Sequence, residues 1–289
     1  MRLWIIGNGF DLAHNMPTSY WDYHKYLLKQ NEKWLVSMLE YYFGNESNTS
    51  KNILWSQLEK ALGIYDVKAI YGFLKEGHSM DIDYVSQYVG EVEAEVQYHF
   101  VGICEKFSET FTGWCGQIEL KGVRPLEKFC FSESDIFLTF NYTDTLERIY
   151  CLDENLVLHI HGRASKDEKL IVGHNNPAKM PRGIKDDFLD NTANYRAIVE
   201  TINRLEKKSK RIIAENGLFF NGLGTVDEVI VYGHSIEKVD IGYFEEVKRN
   251  VYANAHWRFY CFDENRKRHY NDAAIRLGIA RGQYDVVIG

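Results

Sequence analysis

Four short apolar runs, each breaking off at a glycine, an asparagine or a histidine, constrain this chain more than any other feature. They are Leu3–Ile6, Ile136–Phe140, Leu156–Ile160 and Val229–Tyr232, followed by Gly7, Asn141, His161 and Gly233. Each run is apolar at odd and even positions alike, so neither face of the strand it would form can lie in water. That pattern suits strands covered by helices on both sides, as in a parallel sheet. Lys169–Val172 and Trp257–Phe262 are plausible fifth and sixth strands. Helical patterns lie between them at Thr143–Tyr150, Asn194–Ile213 and Ile241–Tyr252, the last with Asp240 placed as its N-cap.

Well over a hundred residues with almost no strand signal separate the first strand from the second. Trp21–Tyr42, Ile53–Gly63 and Tyr84–Thr112 read as helices, joined by polar turns such as Gly44-Asn45-Glu46-Ser47-Asn48. Direct crossovers between neighbouring parallel strands are far shorter. The expected fold is therefore α/β, a Rossmann-like, mostly parallel sheet flanked by helices, with a large helical insertion after the first strand. The insertion is placed at residues 20–130 within a single α/β domain covering 1–289.

Composition narrows the function classes. A net charge of −7 argues against a general nucleic-acid surface, which is normally basic. The five cysteines are odd in number and form no CxxC pair, against both a zinc ribbon and a disulfide framework. No segment approaches the ~18 apolar residues of a membrane span. The first apolar run breaks at Gly7, unlike a signal peptide. These features lead to the expectation of a cytoplasmic protein that does not enter a membrane.

The breaks after the runs carry the chemistry. Gly7-Asn8-Gly9 lets the chain bend sharply and brings backbone N–H groups near a ligand with no Cβ in the way. The dinucleotide fingerprint GxGxxG is not met, because Leu12 stands at the third glycine, and a tight turn that binds nothing explains the pair equally well. Asn141 sits just past its strand, where asparagine is more often a cap or turn former than a catalyst. His159 and His161 share a strand face; His159 reads as a satisfied core histidine, and HxH lacks a third metal ligand nearby in sequence. Gly233-His234-Ser235 contains no GxSxG, and Gly173-His174 repeats the layout after another apolar run. Strand after strand thus ends in Gly, Asn or His at the carboxyl edge, where open parallel sheets bind their ligands.

Taken in order, these motifs, GNGFDLAHNMPTSY above all, resemble the AbiH family of bacterial phage abortive-infection proteins over Arg2 to about Val247. More distantly they resemble sirtuin-like NAD-binding domains. Gly7, Asn8 and Gly9 match the first turn of such domains, Met16-Pro17 an Ile-Pro, Asn141-Tyr142 an Asn-Tyr strand end, His161-Gly162 a His-Gly, and Gly233-His234-Ser235 the last loop. The likeness implies that Asn141 and His161 are the catalytic pair acting on the nicotinamide ribose. It implies nucleotide contacts from Gly7, Asn8, Gly9, Phe10, Asp11, Pro17, Tyr142, Gly233, His234 and Ser235, with backbone N–H groups at Gly7–Gly9 on the diphosphate. Asp11 is placed on a ribose hydroxyl or as a helix cap. Asn15 and Thr143 depart from the sirtuin pattern, and the four zinc cysteines of deacylase sirtuins are missing. That speaks against lysine deacylation and leaves hydrolysis of NAD, as substrate and with no metal.

The expected role is an anti-phage abortive-infection effector that cleaves the nicotinamide–ribose bond. Its expected partners are a small-molecule nucleotide and either a second copy of the chain or a regulatory defence partner, without nucleic acid. The alternatives are a non-catalytic nucleotide-binding sensor, or a metal-dependent nuclease using the histidines at 159, 161, 174 and 234.

Overall fold

The computed structural model describes residues 1–44, 54–76, 100–166, 168–181 and 191–289. In chain order, the elements that build its sheet are β1 (Arg2–Ile6), α1 (Gly9–Ala13), β2 (Ile136–Thr139), α2 (Thr145–Ile149), β3 (Val157–His159), α3 (Ser209–Glu215), α4 (Gly217–Asn221), β4 (Glu228–Tyr232), α5 (Ile241–Asn250), β5 (His256–Cys261), α6 (Glu264–Arg276) and β6 (Tyr284–Ile288). The six strands are all parallel and run in the order β3-β2-β1-β4-β5-β6. This is the doubly wound, Rossmann-like order, with strand succession reversing between β1 and β4.

Alternate residues of the inner strands enter two different cores, which explains why the runs are apolar throughout. Leu3 and Ile5 of β1, Leu138 of β2, Val229 and Val231 of β4, and Trp257 and Phe259 of β5 pack on one face. They meet Ile212, Phe220, Tyr243, Phe244, Val247, Tyr270, Ala273 and Ala274 from α3, α4, α5 and α6. Trp4, Ile6, Phe137, Ile230 and Tyr232 pack on the opposite face against Phe10 of α1, Leu146 of α2 and Phe129. Burying side chains of this size stabilises by about 1.5–3 kcal/mol each before the entropy of ordering them is subtracted.

One buried carboxylate sets the start of the sheet. Asp135, fully buried just before β2, accepts from Arg2 Nε (2.9 Å), Arg2 Nη2 (2.6 Å), Trp4 Nε1 (3.0 Å) and the Ser132 N–H (2.9 Å). Four donors to one carboxylate, two of them from a guanidinium fork, compensate its desolvation and fasten β1 to the entry of β2.

The chain divides into two compact units. One, Met1–Ser19 with Thr112–Ile171 and Lys208–Gly289, contains the whole sheet. The other, Tyr20–Phe111 with Val172–Lys207, is helical among its described residues. The inserted stretch after β1 thus shares its unit with a later stretch of chain, which sequence patterning did not indicate. Its core includes Tyr23, whose ring meets Phe111 at 5.4 Å and Trp55 at 6.2 Å. Lys207 reaches Glu59 at 2.6 Å, its side chain only 1% exposed.

Several expected elements differ in detail. Trp21–Tyr42 is two helices, Tyr20–Lys29 and Lys33–Phe43, because Asn31 takes a left-handed conformation (φ 63°) that breaks the helix and that asparagine tolerates. Asn194–Ile213 likewise divides into Asn191–Arg204 and α3. Most of the expected helix Tyr84–Thr112 lies outside the described residues, whose corresponding helix is Gly102–Gly116. Lys169–Val172 is not a strand: after it Gly173, packed directly against the Leu205 backbone, turns the chain to an isolated bridge between His174 and Glu206. β6 went unrecognised because, as an edge strand, it is only partly buried and its sequence YDVVI lacks a continuous apolar run. Among the described residues no helix is long and apolar enough to cross a membrane.

Candidate functional site

The register aligns the strand ends. Ile6 pairs with Thr139 on one side and Tyr232 on the other, and Thr139 pairs with His159. Gly7, Asn141, His161 and Gly233 therefore all leave the sheet at the same carboxyl edge, flanking the point where strand order reverses.

At that point the glycines serve first to bring two loops together. The Gly7 N–H donates to Tyr232 O (3.0 Å), the Gly9 N–H to Gly233 O (2.9 Å) and the Phe10 N–H to Gly7 O (2.9 Å). A Cβ on Gly7 would lie 2.7 Å from Gly233 O, and one on Gly9 would lie 2.6 Å from Gly233 Cα. Gly233 itself has φ 71°, the left-handed region that glycine enters without penalty. The two amides assigned to a diphosphate are thus hydrogen-bonded within the protein. Asn8 is the exposed member of the turn, and its Nδ2 donates to Thr18 O at 2.8 Å. Pro17 is also exposed, two residues after Asn15, which takes the left-handed conformation (φ 58°) that asparagine tolerates. Phe10 is fully buried among Phe129, Tyr150 and Tyr232, a packing position.

Asp11 connects α1 to the loop after β2. Buried to 1% exposure, it accepts from Thr143 Oγ1 (2.6 Å) and Thr145 Oγ1 (2.7 Å). Burial pushes its carboxyl above the ordinary value of 3.8, opposed by the two threonine hydroxyls, the nearby His14 and the Asn141 carboxamide. A carboxyl raised on folding favours the folded state below its unfolded value, and that contribution is lost as pH rises through the folded value. The melting temperature of Asp11→Asn relative to the unsubstituted protein is therefore expected to climb as pH rises from about 4. A difference that stays flat or falls over that range, in thermal melts at matched ionic strength, would contradict the buried-carboxyl assignment. His14 donates from Nδ1 to Phe10 O (2.7 Å) and accepts at Nε2 from the Tyr150 hydroxyl (2.7 Å), a packing role.

Asn141 is 6% exposed. Its N–H donates to Thr139 Oγ1 (3.1 Å) and its carbonyl accepts from His159 Nδ1 (3.1 Å). His159 Nε2 meets Glu147 Oε1 at 2.7 Å, so His159 is a support for the Asn141 backbone. Beside it, Arg163 Nε and Ser165 Oγ both donate to Asp144 Oδ1, at 2.5 and 2.9 Å. These charged groups lie on adjacent loops and hold the exits of β2 and β3 together.

His161, 2% exposed, is enclosed by aromatic rings: Phe140 (5.1 Å), Tyr243 (5.5 Å) and Tyr142 (6.4 Å, near-parallel). The Tyr142 hydroxyl donates to Ile171 O at 2.9 Å. His234, 6% exposed, lies 4.2 Å from Phe140 with the rings tilted by 59°, and 5.0 Å from Phe244. Between the two histidines stands the carboxylate of Asp240, with Oδ1 3.8 Å from His161 Nε2 and Oδ2 3.5 Å from His234 Nε2. Asp240 does precede α5 as expected of an N-cap, but its side chain accepts no capping hydrogen bond. Sequence reasoning missed its place in the site. The usable signal was an acid at the end of the loop that starts at a strand-end histidine, just before the next helix.

The loop carrying His234 is held under strain. Ile236 is fully buried with φ 51°, a conformation that costs a β-branched residue about 1–3 kcal/mol. Helix α6 secures the loop: Tyr270 OH donates to His234 O (3.0 Å), His269 Nε2 bonds Ser235 O, and Arg276 Nη2 donates to Ile236 O (3.5 Å). Ser235 itself is half-buried.

Gly173 and His174 are not part of the sheet unit. They belong to the helical unit, where buried His174 bonds Ile202 O at 3.1 Å and accepts from the Asn176 N–H at 3.2 Å. Burial depresses its pKa, in keeping with a neutral core histidine. Among the described residues, no group of three or more His, Cys, Asp or Glu side chains is arranged to hold a metal ion.

An all-parallel, doubly wound sheet with asparagine, histidine and aspartate side chains gathered at its carboxyl edge defines a Rossmann-like α/β protein. Residues 3–261 match the family described as bacteriophage abortive infection AbiH. The match covers most of the chain, and the chain belongs to that family, with the phage abortive-infection role the family implies. No curated protein and no solved structure matches it.

Proposed function

We propose that this AbiH-family chain acts in abortive infection by hydrolysing NAD to nicotinamide and ADP-ribose, with Asn141 and His161 as its catalytic residues. The observation that carries this reading is the placement of these two side chains. They lie two residues beyond the paired Thr139 and His159, on neighbouring parallel strands, at one edge and both nearly buried. The chemistry asks little of a site. Nicotinamide in NAD is a cationic pyridinium that departs as a neutral molecule, so no acid has to protonate it, unlike the leaving group of a sugar glycosidase. What is needed is a polar group to orient ribose and water, supplied by the Asn141 carboxamide, and a base for the water proton, supplied by the His161 imidazole. The Gly7–Gly9 turn then contributes shape and the side chain of Asn8 rather than its two engaged glycine amides. Constant loss of NAD would kill the host, so the activity is held back until infection.

Incubation of the purified protein with NAD is expected to release equimolar nicotinamide and ADP-ribose without added metal, and expression under infection is expected to deplete cellular NAD. Toxic expression with NAD unchanged would overturn the reading. NAD binding without turnover would convert it into the sensor alternative, and turnover of nucleic acid only with a divalent metal into the nuclease.

A further inference from the structure

His159 and Glu147 join the exits of β2 and β3 through a short, buried contact of 2.7 Å. We propose that His159 is an imidazolium, with a proton on each ring nitrogen, clamped between the Asn141 carbonyl and the Glu147 carboxylate, and that this clamp positions Asn141 for catalysis. The positioning role rests on the NAD-hydrolase reading, whereas the ring protons can be read independently.

The protons follow from what each nitrogen faces. His159 Nδ1 lies 3.1 Å from the backbone carbonyl oxygen of Asn141, which can only accept, so Nδ1 carries a proton. His159 Nε2 lies 2.7 Å from Glu147 Oε1, a distance that requires a proton between the two atoms. A neutral ring has one proton for its two nitrogens, and Nδ1 has taken it. The pair therefore holds a second proton. A carboxylic acid is the stronger acid of the two groups, so this proton rests on the ring. The Arg163 guanidinium, with Nη1 3.8 Å from the same oxygen, adds to the preference for a carboxylate there.

Burial makes the second proton matter. The side chains of His159 and Glu147 are 6% and 5% exposed. Among the described residues Glu147 Oε2 accepts no hydrogen bond, so His159 is the hydrogen-bond donor on which this carboxylate depends. With a neutral ring, Oε1 would face a lone pair and the buried anion would stand without a donor. Charge balance agrees. The other buried charges here are Arg163 and Asp144, joined at 2.5 Å, and the four groups together are neutral when His159 is positive. Glu154 and Lys166, both half-exposed, pair with each other at 3.1 Å, and Glu154 lies 3.3 Å from Arg163 Nη1.

The clamp spans three elements. Glu147 sits in α2, His159 ends β3 and Asn141 follows β2, so one ring ties a helix to both strand exits. Asn141 is thereby held at both main-chain groups, its N–H by Thr139 Oγ1 and its carbonyl by His159, while its carboxamide bonds the Asp11 carboxyl. Fixing the backbone fixes the point from which the carboxamide projects. His159 and Glu147 act through Asn141 and are positioning residues.

The test is long-range proton–nitrogen NMR of the histidine rings in the full-length protein at neutral pH, with the His159 signals assigned by their loss in His159→Gln. Both ring nitrogens of His159 are expected at imidazolium shifts. In Glu147→Gln the new carboxamide can donate to Nε2 and keep the clamp closed, so His159 is expected to become a neutral Nδ1–H ring. A His159 whose Nε2 is unprotonated in the unsubstituted protein, or that stays an imidazolium in Glu147→Gln, overturns the inference whatever the substrate. In the NAD assay, Glu147→Met, which fills the space without an acceptor and whose fold is checked by circular dichroism, is expected to lower kcat by about 10–10²-fold with KM changed little. Glu147→Gln is expected to restore kcat to within a few-fold of the parent. Equal losses in the two variants, or no loss in Glu147→Met, defeat the positioning role alone. An unsubstituted protein that leaves NAD intact defeats the NAD-hydrolase reading, with the ring protons still deciding the clamp.

Discussion

Asn141→Ala and His161→Ala are each expected to cut nicotinamide release by about 10²–10⁴-fold, the range over which a positioned proton-transfer group contributes. The two losses should not add when combined, because both residues act in one step. Asn141→Ala leaves the backbone bonds of that position in place, since Thr139 Oγ1 and His159 Nδ1 contact its main chain. The Asn141 carboxamide also bonds the buried Asp11 carboxyl, so a fall of a few degrees in melting temperature is expected without unfolding. His161→Ala removes a buried ring from between Phe140 and Tyr243, so some loss of stability accompanies it. His161→Gln fills most of that space without restoring a base, and should remain folded and inactive. Continuous measurement of nicotinamide release on folded variants checks all three. Full activity in Asn141→Ala and His161→Gln would remove both from the mechanism.

Gly233→Ala is expected to be the most damaging small substitution in the sheet unit. The added methyl would meet Gly9 C and Gly9 Cα at 2.7 Å, both backbone atoms that cannot rotate away, and would do so in a left-handed conformation (φ 71°). Strain from the dihedral alone is on the order of 1–2 kcal/mol. Overpacking adds about 1–3 kcal/mol, so the melting temperature should fall by roughly 5–10 °C, with the site distorted as well. Gly222→Ala is the control: nothing lies within 4 Å of its added Cβ and its φ is −75°, so it should be neutral or slightly stabilising. Equal melting temperatures for the two variants would mean that the β1 and β4 loops are not packed as closely as described.

The strands were largely legible because burial on both faces leaves a local mark. Leu3–Ile6 and Val229–Tyr232 could hardly be anything but inner strands, and both are. β6 left no such mark, being partly exposed at the edge. The candidate site was legible where a residue's importance shows in its immediate neighbours. Asn141 and His161 each follow an apolar run, and the register does bring them to one edge. Asp240 and Glu147 were not legible as contacts, since each had a sufficient local explanation within a helix start or a helix.

Local sequence decided the inner strands of the sheet, the edge at which their loops emerge and the family to which the chain belongs. It could not decide what those loops do to one another. Gly7 and Gly9 look like backbone bared for a ligand, yet their first partner is Gly233, from a strand far along the chain. His174 imitates a strand-end histidine, yet belongs to the other unit. Asp240 stands between His161 and His234, which leave the sheet after different strands. Hydrogen bonds and close packing act through space at a few ångströms, while a sequence pattern records only what each residue requires of its own strand or helix.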